Sequence, residues 1–226
     1  MICAAVVPAA GRGERLGPGD PKALREVAGA PLLVHALHAL DAGAPAVAGV
    51  VPAPPDHLGL VVAELRAAAL ASRWHVVPGG ATRQESVAHG LLALPADAEV
   101  VLVHDAARAC VPPDLVRRVV TAVEAGADAV VPVVPVADTL KRVDTDGVVD
   151  GTVDRSRLRQ AQTPQGFRRA ALEAAYAAAD GWPATDDAGL VEHVGGRVVV
   201  VDGDPRAFKV TGPLDLLLAE RLLQRS

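Results

Sequence analysis

Short aliphatic runs recur along this chain, and nearly every one is followed by a segment whose apolar residues return at helical spacing. Residues 2–7, 47–51, 74–77, 100–103, 129–134 and 198–201 read as strands. Residues 31–40, 58–71, 83–94, 115–124, 168–179 and 187–193 read as helices. Thr82-Arg83-Gln84-Glu85 has the capping-box pattern at the start of one of them. A strand buried on both faces shows an unbroken apolar run, and parallel neighbours need a helical crossover between them. The rhythm therefore predicts the α/β class: a Rossmann-like, mostly parallel, doubly wound sheet covered on both faces. Only 2% of the residues are aromatic while 50% are hydrophobic, so Val, Leu and Ala must build the core. A chain of 226 residues suffices for one domain, residues 1–226.

The rhythm breaks once. Residues 139–149 alternate and contain Thr145-Asp146-Gly147, a hairpin-turn signal. Such an excursion buries little by itself, so the reading is a projecting β-arm at about 136–160 that packs on a second subunit, giving a homodimer. After a brief extended segment at 208–211, Pro213 opens a last helix that places Leu214, Leu217, Leu218 and Leu222 on one face.

In open parallel sheets ligands bind beyond the carboxyl ends of the strands, and the polar clusters fall there. The first strand stops at Pro8 and delivers Ala9, Ala10, Gly11 and Gly13, with Arg12, Arg15 and Lys22 among them. Backbone N–H groups and fixed cations together suit a triphosphate. The third strand delivers Gly79, Gly80 and Arg83, with Ser86 one helical turn on; the fourth delivers His104, Asp105, Ala106 and Arg108. Asp105 suits a divalent metal such as Mg²⁺ or a substrate hydroxyl, or equally a helix cap or a partner for Arg108. Gly79-Gly80 suits a pyrimidine edge read by backbone groups, or a plain turn. His104, with no Cys or His nearby, reads as structural.

Several classes are disfavoured. A dinucleotide site needs an acid at the end of the second strand, and none occurs before Asp56. The phosphate loop ending in Lys-Ser/Thr is absent, because Ala23 follows Lys22. A net charge of −5 argues against nucleic acid or a membrane surface as partner. No apolar stretch reaches spanning length. Two cysteines, Cys3 and Cys110, make no disulfide framework and point to a reducing cytoplasm. No nucleophile–base arrangement is evident. A site rich in cations and poor in bases suits transfer between phosphates, since a phosphate nucleophile is already anionic.

Pro8-Ala9-Ala10-Gly11-x-Gly13-x-Arg15, Pro21-Lys22, Gly79-Gly80-x-x-Arg83-x-x-Ser86, His104-Asp105-Ala106-Ala107-Arg108, Asp138-Thr139-Leu140-Lys141, Thr152-Val153-Asp154-Arg155, Gln162-Thr163-Pro164-Gln165, Thr185-Asp186-Asp187 and Lys209-Val210-Thr211 occur in order. Together they resemble the 2-C-methyl-D-erythritol 4-phosphate cytidylyltransferases of the non-mevalonate isoprenoid pathway, over residues 3–224. The resemblance implies a nucleotidyltransferase fold of the glycosyltransferase-A-like kind. It implies transfer of CMP from CTP to the phosphate of 2-C-methyl-D-erythritol 4-phosphate, a small polyol phosphate, with Mg²⁺ or another divalent cation and release of pyrophosphate. It assigns Arg15 and Lys22 to the transition state, and Arg155 and Lys209 to the acceptor phosphate. Asp105, Arg108, Thr139, Thr163 and Thr185 fall on substrate positions, and Gly80 and Ser86 on the cytosine pocket. It also implies a dimer of interlocking arms in which Thr139 and Arg155 serve the partner's site. Two departures stand out: Ala109-Cys110 where the family has proline, and Ala23 where it often has Gln. A ribitol 5-phosphate cytidylyltransferase fits most of the same motifs. A catalytically silent nucleotide-binding scaffold would not need Arg15, Lys22, Asp105, Arg155 and Lys209 together.

Overall fold

The computed structural model describes residues 1–11, 21–44, 47–179 and 181–224. The first strand, β1 (Cys3–Val6), is central: Ala4, Ala5 and Val6 are all buried, with Ala5 packed on one face and Ala4 and Val6 on the other. A small hairpin, β2 (Glu26–Val27) and β3 (Ala30–Pro31), leads into α1 (Leu32–Gly43). Next come β4 (Ala48–Ala53), α2 (Leu58–Ala67), β5 (Trp74–Pro78) and α3 (Arg83–Leu92). At the start of α3 both arms of the capping box form, Glu85 N–H to Thr82 Oγ1 at 3.0 Å and Thr82 N–H to Glu85 Oε2 at 3.3 Å. Then follow β6 (Val100–Val103), α4 (Pro113–Glu124) and β7 (Ala129–Pro135).

A hairpin of β8 (Leu140–Val143) and β9 (Val149–Val153) leaves the body at this point. The chain returns through β10 (Arg159–Ala161), β11 (Gln165–Arg168), α5 (Arg169–Ala178), α6 (Asp187–His193), β12 (Val198–Asp202) and α7 (Pro213–Leu223).

The main sheet runs β12, β7, then β10 and β11 end to end, then β6, β1, β4, β5. β10 and β11 share one edge of β7, because β12 occupies the other edge, pairing residues 198–202 with 129–133. They are the antiparallel strands; β12, β7, β6, β1, β4 and β5 run parallel. The aliphatic rhythm did not announce β10 and β11, whose sequences Arg-Gln-Ala and Gln-Gly-Phe-Arg lack it. Helices α1, α2 and α4 pack on one face, α3, α5 and α6 on the other, as a doubly wound sheet requires. Because β4 and β6 flank β1 on opposite sides, the chain reverses its winding there, and a crevice opens at the carboxyl ends of β1 and β6.

The β8–β9 hairpin pairs only with itself among the described residues, and turns where Gly147 takes φ +82°. The Asp144 carboxylate accepts from the N–H groups of Asp146 and Val148 across that turn. Both strands are largely solvent-exposed, including Leu140, Val143 and Val149. Its cross-strand side-chain contacts are exposed, Lys141 Nζ to Thr152 Oγ1 at 2.6 Å and Arg142 Nε to Asp150 Oδ1 at 2.8 Å, and an isolated hairpin is only marginally stable in water.

The last helix departs from the usual outcome of an apolar stripe. Leu214, Leu217 and Leu218 are 78%, 69% and 49% exposed, and the contact with the body is made by Leu216, Ala219 and Leu223. Ala219 is buried there in one cluster with Val27, Leu32, Ala109 and Val210. Among the described residues no helix is long and apolar enough to cross a membrane.

Candidate active site

A cavity of about 660 Å³ lies at the carboxyl ends of β1, β5 and β6. Its wall brings together most of the residues singled out from the sequence. Pro8, Ala9, Ala10 and Gly11 come from the end of β1, and Lys22 from the 3₁₀ turn Lys22–Leu24. Gly80, Arg83 and Ser86 come from the entry into α3, Asp105 and Ala106 from the end of β6, and Lys209 from the approach to α7. Gly13 and Arg15 lie outside the described residues, as does Arg12.

Ser86 is 1% exposed, and its hydroxyl already donates to Thr82 O at 2.9 Å and accepts from Gly80 N–H at 3.0 Å. Its remaining capacity toward the cavity is therefore as an acceptor. Gly80 is required here: a Cβ would stand 2.3 Å from Glu85 Cβ, in the first turn of α3.

Asp105 is the electrostatic centre. Its Oδ1 takes Arg83 Nε at 3.1 Å and its Oδ2 takes Lys209 Nζ at 2.7 Å. Burial alone would raise its pKa, but Arg83 and Lys209 outweigh that and hold the carboxyl well below the usual carboxylate range. Of the roles open to Asp105 in the sequence, a partner for cations is realised, with Arg83 and Lys209 rather than Arg108. Its backbone is set from behind: Thr163 Oγ1, 5% exposed as a residue, accepts from Asp105 N–H at 3.0 Å. The Thr163 hydroxyl also lies in hydrogen-bond contact with His104 Nδ1, at 3.0 Å. Burial lowers the His104 pKa to about 4, so the ring is neutral and structural. The turn that follows closes without proline: Arg108 N–H donates to Asp105 O at 2.9 Å and Ala109 is buried beneath it.

A second cavity of about 620 Å³ adjoins the first, sharing Lys209 and lined by Arg108. The Arg108 guanidinium donates to Ala207 O at 2.7 Å and Ala161 O at 3.2 Å, tying β10 to the segment before Lys209. Thr139 and Arg155 sit exposed on the arm, where Arg155 donates to the carbonyls of Val136 and Ala137. Thr185 is exposed just before α6. These three line neither cavity.

Asp187, Tyr176 and Gln165 were not singled out from the sequence for chemistry, yet they stand behind this site. Arg83 Nη1 lies 2.8 Å from Asp187 Oδ2, and Tyr176 Oη donates to Asp187 Oδ1 at 2.6 Å. Gln165 and Asp187 entered only as members of the Gln162-Thr163-Pro164-Gln165 and Thr185-Asp186-Asp187 motifs, without a role of their own, and Tyr176 carried no sequence signal. For a metal, the described residues offer no cluster of three or more His, Cys, Asp or Glu. A divalent ion would fit this donor set only if a ligand supplied most of its oxygens, with Asp105 as the carboxylate on the cavity wall.

The sequence profile described as 2-C-methyl-D-erythritol 4-phosphate cytidylyltransferase matches residues 3–225. The chain is 57% identical to a protein of that name from Saccharopolyspora erythraea over 226 residues, covering 99% of this chain and 100% of that one. It is 54% identical to one from Streptomyces coelicolor, covering 98% and 85%. The crystal structure of the Thermus thermophilus protein of the same name superposes with a TM-score of 0.80 at 37% identity, covering 99% and 100%. With the profile matched over residues 3–225, relatives aligned end to end and a shared fold, the chain belongs to the 2-C-methyl-D-erythritol 4-phosphate cytidylyltransferase family.

Proposed function

We propose that this enzyme transfers CMP from CTP to 2-C-methyl-D-erythritol 4-phosphate, releasing pyrophosphate and 4-diphosphocytidyl-2-C-methyl-D-erythritol. The observation that carries the reading is the cavity whose wall holds Lys22, Arg83 and Lys209, the last two paired with Asp105, beside a buried Ser86 that has only acceptor capacity left. A hydroxyl that can only accept favours a base bearing an amino group, as cytosine does, over one presenting a carbonyl at the same place. An oxygen of the acceptor phosphate attacks the α-phosphorus in line; the bond to the β-phosphate oxygen breaks and pyrophosphate leaves. No base is needed, because the attacking oxygen is already anionic. The difficulty is bringing two anions together, and fixed cations at the cavity wall offset it without reorganising.

Lys22 faces the triphosphate, joined by Arg15 on the family resemblance. Lys209, placed between the two cavities, meets the acceptor phosphate. A divalent ion such as Mg²⁺ would be held mainly by the nucleotide's phosphate oxygens, with Asp105 the carboxylate on the cavity wall, and would supply charge neutralisation there. Arg155 and Thr139, exposed on the arm, reach the acceptor side of a second protomer's cavity. The exposed hairpin with Leu140, Val143 and Val149 supports such a homodimer. The setting is cytoplasmic, where CTP is made.

The test is pyrophosphate release with CTP, ATP, GTP or UTP crossed against methylerythritol phosphate and ribitol phosphate. CTP with methylerythritol phosphate is expected to dominate. Preference for ribitol phosphate overturns the acceptor, and no release with any pair leaves a silent nucleotide-binding protein.

A further inference from the structure

We propose that Asp187 and Tyr176 are positioning residues that hold the Arg83 guanidinium in place for the nucleotide from outside the cavity. The proposal rests on Arg83 being a nucleotide contact. Arg83 opens α3 and lies between two carboxylates, with Nε on Asp105 Oδ1 at 3.1 Å and Nη1 on Asp187 Oδ2 at 2.8 Å. The two anchors differ. Asp105 lines the cavity and is shared with Lys209, so an arriving sugar hydroxyl or cation competes for it and an arriving phosphate competes for its lysine. Asp187 is not part of the cavity wall, and its side chain is 2% exposed. An anchor that ligands cannot reach lets Asp105 change partners without releasing Arg83.

Asp187 is itself fixed on every side. Its Oδ1 accepts from Tyr176 Oη at 2.6 Å, across from α5. Burial and the neighbouring Asp187 charge both push the Tyr176 pKa up, so its hydroxyl stays a donor. The first turn of α6 is bolted to β11: Gln165 Nε2 donates to Asp186 Oδ2 at 2.7 Å, and Gln165 Oε1 accepts from Ala188 N–H at 3.1 Å. Asp186 Oδ1 caps the helix at Gly189 N–H, 3.0 Å away. A carboxylate this buried is costly unless paired. The fold has therefore set the start of α6 where Arg83 needs a second counter-charge. The contact to Oδ2 is an ion pair rather than a well-aligned hydrogen bond, so the Tyr176 hydroxyl does much to set the carboxylate plane.

The experiment is calorimetric CTP binding plus steady-state kinetics on wild type, Tyr176→Phe, Asp187→Asn, Arg83→Gln and the Arg83→Gln/Asp187→Asn double variant. Asp187→Asn is expected to weaken CTP binding and lower kcat/KM for CTP by roughly tenfold. Tyr176→Phe, the milder change, should do so severalfold, with KM for the acceptor unchanged. In the Arg83→Gln background, Asp187→Asn should add almost nothing. A purely structural role predicts lowered melting temperature with unchanged CTP affinity and kcat/KM below the transition, or equal effects with and without Arg83; either result overturns the proposal. If Asp187→Asn does not fold, Tyr176→Phe with and without Arg83→Gln decides the same question. Wild-type protein that binds no CTP refutes the nucleotide reading itself, which separates that failure from this one.

Discussion

Removing one hydroxyl, in Ser86→Ala, separates base recognition from loop stability. Three hydrogen bonds are at stake. Gly80 N–H loses its acceptor at 3.0 Å, although Gly80 is half-exposed and water can replace it. Thr82 O loses a donor at 2.9 Å but keeps Ser86 N–H at 3.0 Å. A neutral hydrogen bond contributes about 1 kcal/mol net, so the fold should lose on the order of 1 kcal/mol, a melting shift of roughly 2–4 °C for a chain this size. The third bond is the one Ser86 Oγ offers a cytosine amino group. Its loss should lower kcat/KM for CTP by roughly three- to tenfold. UTP presents a carbonyl to the same oxygen, so removing that oxygen leaves UTP turnover unchanged or raises it. The CTP/UTP ratio of kcat/KM, measured by pyrophosphate release, should therefore shrink by about tenfold. Equal losses for both nucleotides would mean the hydroxyl only braces the Gly80 turn, and the base-reading argument would fail.

Lys22→Ala should lower kcat by roughly a hundredfold or more with the fold intact by circular dichroism; unchanged turnover removes Lys22 from the mechanism. Excess chelator should abolish turnover and added Mg²⁺ restore it, and full activity in chelator would rule out a required divalent ion. Sedimentation at micromolar concentration should give a dimer, and deletion of residues 140–153 a monomer. A fully active wild-type monomer contradicts the arm's role. Neutral His104 has a folded pKa of about 4 against an ordinary 6.5, so the unfolded chain binds more protons between those values. Stability should be complete above about pH 6.5 and fall by on the order of 3 kcal/mol as pH drops to about 4. Chemical denaturation of His104→Gln should lack that slope; the same slope in the variant would assign it elsewhere.

The alternation of aliphatic runs and helical spacing was enough to foretell a doubly wound sheet, because periodicity is a local property of the chain. The capping box at Thr82 and the turn at Gly147 were legible for the same reason: each is settled by residues close together in the chain. The polar clusters also fell at strand ends as expected, since a parallel sheet sends those ends to one side. Tertiary structure decided the rest. β10 and β11 carry no aliphatic signal; β11 is a strand because it fills the slot between β6 and β7, and β10 because it continues along the same edge of β7. Leu214, Leu217 and Leu218 of α7 face outward because the helix docks through Leu216, Ala219 and Leu223 instead. Thr163, read as a substrate position, has its hydroxyl turned to His104 and the Asp105 backbone. The clamp on Arg83 joins residues 83, 105, 176 and 187 from four separate elements, with no spacing to betray it. Local pattern sets which elements form; which side chains meet is set by packing, where a buried charge finds its counter-charge regardless of distance along the chain.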